Sequence, residues 1–364
     1  SQMLWEWHPP FLGNGKSKDI GSVLDSRPYF TLARIPQILQ SRLKEKLSFL
    51  LGRDATQDDA ENVFKVLGAR GIGLSALVAA GGSQLTGALG FYSVFAFDGL
   101  AAAGKRNRFI MPIDVCNQFL TDLAGGIDPG RDKKRADLLV IEINPDSVCL
   151  TPIEIKFYGT ENVDELAAEL PEVGSGALLD AVSQAESSLN LFQKIQHQWE
   201  RSKVDPALKY DHLLKSNALA TFIESAMRIN PQGVDANLAA RSLQSVVDGT
   251  TKIRLGRPLV AFFKPTDSQK TINVGLDVPN SGGGGVHAEF ICDPRSALQQ
   301  LAVGDGNILR EWSRALDWSL TCEDPVDGLD IGSPDETDDT NEPIDEMDEV
   351  EELEPVVEPV VEPV

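Results

Sequence analysis

Asp137, Glu154 and Lys156 lie in a short stretch whose pattern predicts a β-hairpin. Residues 135–157 read RADLLVIEINPDSVCLTPIEIKF, two apolar runs separated by the turn-forming tetrapeptide Asn-Pro-Asp-Ser. Asp137 opens the first predicted strand, and Glu154 and Lys156 lie two residues apart on the second. Because residues i and i+2 of a strand point to the same face, the side chains of Glu154 and Lys156 should project together.

The predicted turn also sets the pairing of the two strands. A symmetric turn centred between Pro145 and Asp146 pairs residues whose numbers sum to 291, as those of Asp137 and Glu154 do. Their Cβ atoms should then lie roughly 4.5–5.5 Å apart. Two carboxylates this close on apolar strands repel each other and lose hydration, so a proton or a cation must offset the cost. Lys156 supplies one positive charge, and Mg²⁺ supplies two and prefers carboxylate oxygens.

A plain hairpin with one surface salt bridge is the alternative that the residue types leave open, because E-x-K is a common tripeptide. The chemistry therefore depends on the elements that surround the hairpin. Helical spacing of apolar residues and short apolar runs predict those elements along the rest of the chain. The predicted helices cover 35–51, 58–67, 117–123, 177–203, 206–228 and 234–247, and the predicted strands cover 108–113, 257–264, 271–278 and 285–293.

The charge is distributed unevenly along the chain. The 364 residues carry a net charge of −22, but 18 acidic and no basic residues follow from Glu323 onward, which leaves 37 acidic against 33 basic residues before it. The segment 323–364 is Pro-rich and ends in an EPVV repeat, so we expect a disordered tail. The repeat breaks off at the last residue and the chain starts Ser-Gln-Met, so we expect a fragment of a longer protein.

The chain has the composition of a soluble protein of a reducing compartment. Its four cysteines are far apart and form no C-x-x-C motif, which argues against a zinc site and a disulfide framework. The N-terminus lacks the basic and apolar segments of a signal peptide. The longest uncharged run, 71–97, is broken by glycines at its middle into halves shorter than the roughly 20 residues of a membrane-spanning helix. We expect a cytoplasmic protein without a membrane span.

The predicted order of elements, a helix, a strand, the hairpin, a long helix and a strand, resembles the αβββαβ core of the PD-(D/E)xK nuclease superfamily over residues 85–265. Asp137 matches the aspartate of that family, with Ala136 in place of its usual proline, and Glu154 and Lys156 match its E-x-K. The resemblance implies an α/β fold with a mixed central sheet flanked by helices. We divide the chain into an N-terminal helical region (1–84), the nuclease-like domain (85–322) and the tail (323–364).

The resemblance also implies an activity and roles for these residues. The activity would be metal-dependent hydrolysis of DNA phosphodiesters with Mg²⁺ or Mn²⁺ as the cofactor. Asp137 and Glu154 would be metal ligands, together with the backbone carbonyl of Ile155. Lys156 would orient the attacking water and help to neutralise the phosphate.

Two features bear on how complete the predicted site is. Gln184, on the helix after the E-x-K strand, matches a glutamine of some family members, but Ser188 stands where those members have tyrosine. A polar residue on a helix face is the alternative for Gln184. The glutamate that many members carry on the first core helix is absent from residues 85–97. Asp98 and Asp114 are the candidates to replace it, and a helix cap or turn residue is the alternative for each.

The predicted partners are DNA and an ATPase. The phrases ARGIGLSAL (69–77) and GALGF (87–91), ahead of the hairpin, resemble the large DptH-type restriction proteins, which join a nuclease-like region to a HerA/FtsK-type ATPase. This chain has no Walker A motif of its own, because Arg106 follows Lys105 where Ser or Thr should stand. Basic groups at 105–108 and 131–135 could contact a DNA backbone or be solvated loop charges.

Three functions therefore stay open. The first is a nuclease of a prokaryotic DNA restriction, defence or processing system. The second is an inactive module of the same fold that binds DNA or scaffolds an ATPase, and the third is an interaction domain whose acidic tail regulates access to the site. The sequence also leaves open whether the protein forms a homo-oligomer.

Overall fold

The computed structural model describes residues 3–8, 29–34, 37–51, 53–69, 87, 89–95, 107–125, 134–157, 176–229, 234–264, 272–279 and 285–292. All of them belong to the compact unit formed by residues 1–325. The tail that we expect to be disordered lies outside the described residues. So do three segments that the sequence also predicts to be helical, which are the first half of a helix pair at 71–103, a piece at 161–170 and a last helix after residue 294. So does the proposed domain boundary at residues 84 and 85.

Two short strands precede the first helix. Strands β1 (Met3–His8) and β2 (Tyr29–Arg34) pair antiparallel, with Met3 opposite Arg34. The Pro and Gly content of residues 1–30 predicts an irregular segment, and this prediction is wrong for these strands. Proline and glycine are frequent in the sequence between them and indicate irregular structure. Each strand alone is too short to predict the pairing.

A seven-stranded mixed sheet forms the centre of the described fold. Its strands are β3 (Arg108–Pro112), β4 (Leu138–Ile143), β5 (Ser147–Phe157), β6 (Lys252–Leu255), β7 (Leu259–Lys264), β8 (Ile272–Pro279) and β9 (Gly285–Cys292). They lie in the order β3-β4-β5-β7-β9-β8, with β6 beside the first half of β5. Strands β3, β4 and β5 are antiparallel, as are β8 and β9, whereas β6 and β7 run parallel to β5, and β9 runs parallel to β7.

Helices cover both faces of this sheet. They are α1 (Gln37–Leu51), α2 (Gln57–Ala69), α3 (residues 89–95), α4 (Ile113–Leu123), α5 (Gly176–Val204), α6 (Lys209–Ile229) and α7 (Ala236–Val247). Leu43, Phe64 and Phe95, from α1, α2 and α3, share one apolar cluster with Val140 and Ile153 of the sheet. The other face packs against α4 to α7. The predicted mixed α/β architecture with a flanked sheet is confirmed.

The central strand β5 contacts partners on both of its edges. Its antiparallel partner is β4, and its parallel partner changes from β6, which ends opposite Leu150, to β7, which begins opposite Ile153. Pro152 lies in the gap between those two parallel partners, where its missing N–H costs no ladder hydrogen bond on that edge. This is how a proline is tolerated in the middle of the sheet.

The start of α4 shows the largest difference between a predicted and an observed element boundary. Helix α4 begins at Ile113, four residues before the predicted start at Asn117. The extended backbone of Pro112 precedes it, and the Ile113 N–H donates to the Asp137 carbonyl at 3.0 Å. Strand β6 was not predicted, because a run of four residues is too short to show a strand pattern by itself, and only its pairing with β5 defines it.

Cys116 is a free, buried thiol, whereas Cys149 is disulfide-bonded, which the wide spacing of the cysteines did not predict.

Candidate catalytic and metal-binding site

Asp137 stands at the start of the hairpin, one residue before β4. Leu138 pairs with Ile153 in the ladder, so the predicted register is confirmed and places Asp137 opposite Glu154. The Oδ2 atom of Asp137 accepts a hydrogen bond from the Ile155 N–H at 2.8 Å. The carboxylate thus replaces a backbone carbonyl as the acceptor for this N–H, just beyond the last backbone pair of the two strands. This contact fixes the position of the carboxylate against β5.

Glu154 and Lys156 project from β5 on one face, as their spacing predicts. Lys156 Nζ donates to Glu154 Oε1 at 2.5 Å. The Glu154 side chain is only 1% exposed, whereas that of Lys156 is 28% exposed. The second carboxylate oxygen, Glu154 Oε2, is buried and accepts no hydrogen bond within the described residues, although the backbone N–H of Asp137 lies close enough to the carboxyl group to oppose the rise of the Glu154 pKa. Such an orphaned buried oxygen is costly and points to a missing proton or cation.

Gln184 of α5 reaches both members of this ion pair. In the amide orientation that satisfies both partners, its Nε2 donates to Glu154 Oε1 at 3.1 Å and its Oε1 accepts from Lys156 Nζ at 3.3 Å. The structure therefore brings together Asp137, Glu154, Lys156 and Gln184, the four side chains that match the family pattern in the sequence. Glu154 Oε1 is held by two donors, which leaves Oε2 as its available oxygen.

The four side chains lie between two apolar clusters beneath α5. Leu178, Ala181 and Ala185 of α5 pack on Val260 and Phe262 of β7. Further along the same helix, a second cluster packs on β4 and the first half of β5, with Leu191, Phe192, Ile195 and Trp199 as the contributions of α5. The four polar side chains lie between these clusters and are covered by α5. Apolar side chains therefore surround them on both sides and lower the local dielectric constant.

Burial raises the pKa of both carboxyl groups. Burial raises the pKa of Glu154 to about 8, and the charge of Asp137 adds to this rise, whereas Lys156 opposes it. Burial also raises the pKa of Asp137 to about 6, against the opposing effect of the Ile155 N–H bond and of Lys156. Without a cation, the pair therefore holds a proton at neutral pH, as expected for neighbouring buried carboxyl groups.

Asp114, a candidate to replace the missing helix glutamate, lies in the first turn of α4. The adjacent Ile113 N–H donates to the Asp137 carbonyl oxygen, and the charge of Asp114 raises the pKa of Asp137. The pKa of Asp114 is itself raised by desolvation, although its side chain is exposed by area. Asp114 thus acts on Asp137 electrostatically. Asp98, the other candidate, lies outside the described residues.

The residues fit a divalent cation in part. Two neighbouring carboxylates and an unpartnered, buried oxygen are a suitable donor set for Mg²⁺, which usually binds through one or two carboxylates and keeps several waters. Within the described ranges, however, no cluster of three or more His, Cys, Asp or Glu side chains is arranged to hold a metal. The protein would therefore supply few of the ligands, and solvent or substrate oxygens would supply the rest. The side chain of Ile155 packs in the cluster on the opposite face, so only its backbone is available.

The structure leaves fewer of the predicted basic residues available to contact DNA. Arg108 is buried, and its Nη2 pairs with Glu142 Oε2 at 3.4 Å, so it is a core residue and fits neither of the two alternatives, a phosphate contact or a solvated loop charge. Arg135 is turned toward α5, where it donates to Ser187 Oγ at 2.9 Å. Lys134 is exposed. The other members, at 105, 106, 131 and 133, lie outside the described residues.

The sequence interpretation missed one group of residues around the site. Ser188 was noted only as a departure from a family pattern, and Arg135 only as a loop charge. Both connect the segment before Asp137 to α5, since Ser188 Oγ accepts from the Ala136 N–H at 2.8 Å. The spacing of 52 residues between the partners gives no local signal. Only the pairing of the hairpin with the helix that follows it could have indicated the contact.

Comparisons with known proteins give no family for this chain. No family model matches it, and neither does any curated protein or any solved structure. Among the described helices, none is both long and apolar enough to cross a bilayer.

Proposed function

We propose that this chain is a metal-dependent DNA endonuclease with a restriction-endonuclease-like core. The succession of α3, the strands β3 to β5, α5 and β7 supports this, since it follows the αβββαβ order with the hairpin at the centre of the sheet. The observation that carries the proposal is the arrangement around the buried Glu154. Lys156 and Gln184 hold its Oε1, Asp137 accepts from the adjacent Ile155 N–H, and its Oε2 accepts no hydrogen bond within the described residues.

Asp137 and Glu154 would hold the cation, with the Ile155 carbonyl as a further ligand. A bound Mg²⁺ or Mn²⁺ supplies a Lewis acid for the phosphate and lowers the pKa of a bound water. The protein contributes the fixed spacing of the two carboxylates. It also excludes water from one side of them, because the sheet and α5 bury the Glu154 side chain.

Lys156 is the group that would contact the substrate. Its ammonium is partly exposed, whereas its counter-ion Glu154 is buried, so its remaining donors can reach a phosphate oxygen or an attacking water. Gln184 holds both side chains of the ion pair and restricts the ammonium to one position. Lys156 would thereby orient the water and offset the charge that grows on the phosphate in the transition state.

One observation favours the second function, an inactive module of the same fold that binds DNA or scaffolds an ATPase. Helix α3 directs Leu89, Val94 and Phe95 into the cluster on the face opposite Glu154, so those side chains are no substitute for the helix glutamate of active family members. The natural partners under either function are DNA and a HerA/FtsK-type ATPase of a prokaryotic restriction or processing system, acting in the cytoplasm. The acidic tail would then regulate access or link the domain to the motor.

A cleavage assay separates these functions. The purified chain is incubated with supercoiled and linear DNA in Mg²⁺, Mn²⁺ or EDTA, beside Asp137→Ala and Lys156→Ala. Asp146→Ala and Lys209→Ala are matched controls, because both residues are exposed and lie outside the site. We expect metal-dependent cleavage that only the site variants abolish. Cleavage that survives in EDTA or in Asp137→Ala contradicts the proposed site, and DNA binding without cleavage by the wild type supports the inactive module.

A further inference from the structure

Hydrogen bonds to α5 hold the segment just before Asp137. Residues 134–136 precede β4 and lie before the point where its ladder with β5 begins. Instead the Ala136 N–H donates to Ser188 Oγ at 2.8 Å, and Arg135 Nη1 donates to Ser187 Oγ at 2.9 Å and also to the Ser187 carbonyl oxygen. We call these four residues, 135, 136, 187 and 188, the clamp.

Three of the four clamp residues are buried, and the fourth, Arg135, is half-buried. Ala136 is 1% exposed, and Ser187 and Ser188 are 4% and 0% exposed. Ser188 Oγ therefore accepts from a buried backbone N–H, and loss of that acceptor would leave the N–H without this partner in an apolar setting. The guanidinium of Arg135 reaches two acceptors of one residue, which fixes its direction as well as its distance.

The clamp and the site share a helix. Gln184 and Ser188 are four residues apart on α5, so they lie on the same face about one turn apart. One end of this turn holds Glu154 and Lys156 through Gln184. The other end holds the backbone that leads into Asp137. A single rigid turn thus spans the two strands that carry the carboxylates.

Asp137 in turn transmits this position to β5. Its Oδ2 accepts from the Ile155 N–H, between Glu154 and Lys156. A displacement of Ala136 would move the Asp137 side chain, lengthen that bond and change the distance between the two carboxylates. The Ile155 N–H is therefore a local reporter of where Asp137 lies.

We propose that Ser188, supported by Arg135 and Ser187, is the positioning residue that sets the metal-binding geometry of Asp137 relative to Glu154. The role in metal binding rests on the proposed function, whereas the positioning of Asp137 rests on the hydrogen bonds alone. Residues that orient metal ligands typically alter metal affinity or activity by 10–100-fold when they are removed.

The test compares Ser188→Ala with Ser225→Ala. Ser225 is also a buried helical serine, but its Oγ donates to the Thr221 carbonyl within α6, away from the site. Each variant is measured for unfolding in urea, for hydrogen exchange of the Ile155 and Val260 amides by NMR, and for Mn²⁺ binding by calorimetry. We expect Ser188→Ala to weaken Mn²⁺ binding roughly 10–100-fold. We also expect it to speed exchange of the Ile155 amide about tenfold or more beyond the change at Val260, which lies opposite Glu154 on β7.

A smaller change provides a second measurement if Ser188→Ala does not fold. Ser187→Ala keeps the carbonyl acceptor of Arg135 and loses only the hydroxyl, so its effects on Ile155 exchange and Mn²⁺ affinity should be in the same direction and weaker. Equal behaviour of the variant series and Ser225→Ala in both readouts overturns the inference. A wild-type protein that binds no Mn²⁺ contradicts the proposed function instead, and Ile155 exchange then still decides whether the clamp positions Asp137.

Discussion

The burial of Glu154 has a thermodynamic consequence at the scale of a single residue. Its folded-state pKa of about 8 lies above the value of 4.5 expected for the unfolded chain, so between these pH values the folded form keeps a proton that the unfolded form has released. Folding is then favoured at low pH, and its free energy weakens as the pH rises from 4.5 to 8. This dependence is the reverse of that of a salt-bridged surface carboxylate.

Glu154→Gln should remove this dependence. In EDTA, we expect the variant to be more stable than the wild type at pH 8, on the order of 1–3 kcal/mol, and nearly equal to it at pH 5. Urea unfolding at the two pH values measures the difference. The control is Glu200→Gln, which alters a partly exposed carboxylate paired with Lys203 at 2.9 Å and should change little. An equal loss or gain at both pH values would contradict the raised pKa.

The charge of Asp114 acts on its neighbour in a measurable way. Because that charge raises the pKa of Asp137, Asp114→Asn should lower the pKa of Asp137. A ¹³C-carboxyl NMR titration of the two proteins in EDTA reports the change directly. Asp146→Asn, in the exposed hairpin turn, is the matched control and should leave Asp137 unchanged. An upward or absent shift in Asp114→Asn would remove Asp114 from the electrostatics of the site.

At the scale of elements, the approach of α3 to β5 depends on a glycine. A Cβ atom added to Gly90 would lie 2.8 Å from Ile155 Cγ2 and 3.2 Å from Phe157 Cβ. Gly90→Ala should therefore destabilise the fold by roughly 1–3 kcal/mol, although alanine favours helices. Gly87→Ala is the control, because its added Cβ meets nothing within 4 Å, and it should stabilise by about 0.4–1 kcal/mol. Thermal unfolding of both variants measures the two changes in stability. Changes of the same sign would contradict the close packing of Gly90 against Ile155 and Phe157.

The elements also show how far the sequence could lead. The turn at Asn144 to Ser147 set the register, because a two-residue loop leaves one symmetric pairing, and Asp137, Glu154 and Lys156 followed from it. The long helix α5 was predicted to within one residue at each end from its apolar spacing. Helix and strand boundaries that depend on distant partners were not, as the start of α4 at the Asp137 carbonyl illustrates.

The same distinction holds within the site. Gln184 was predicted only as a residue on a helix face, since its contact with Lys156 requires α5 to cross the sheet at one particular height. Ser188 was set aside because its type departs from a family pattern, although its hydroxyl makes a buried contact with the other strand. Pairwise contacts across 52 residues are determined by packing of the whole core, and no local pattern encodes them.

At the scale of the whole molecule, metal binding should be coupled to global stability and to pH. A ligand that binds only the folded form stabilises it by about 2.7 kcal/mol at a hundredfold excess over its Kd. Because the cation must displace the proton held by Glu154, its affinity should fall as the pH is lowered from 8 toward 6, by up to about tenfold per pH unit. Thermal unfolding with and without Mn²⁺ at pH 6, 7 and 8 measures this, with Asp137→Asn as the control that should gain little at any pH. A stabilisation that is independent of pH, or equal in Asp137→Asn, would place the cation elsewhere than between these two carboxylates.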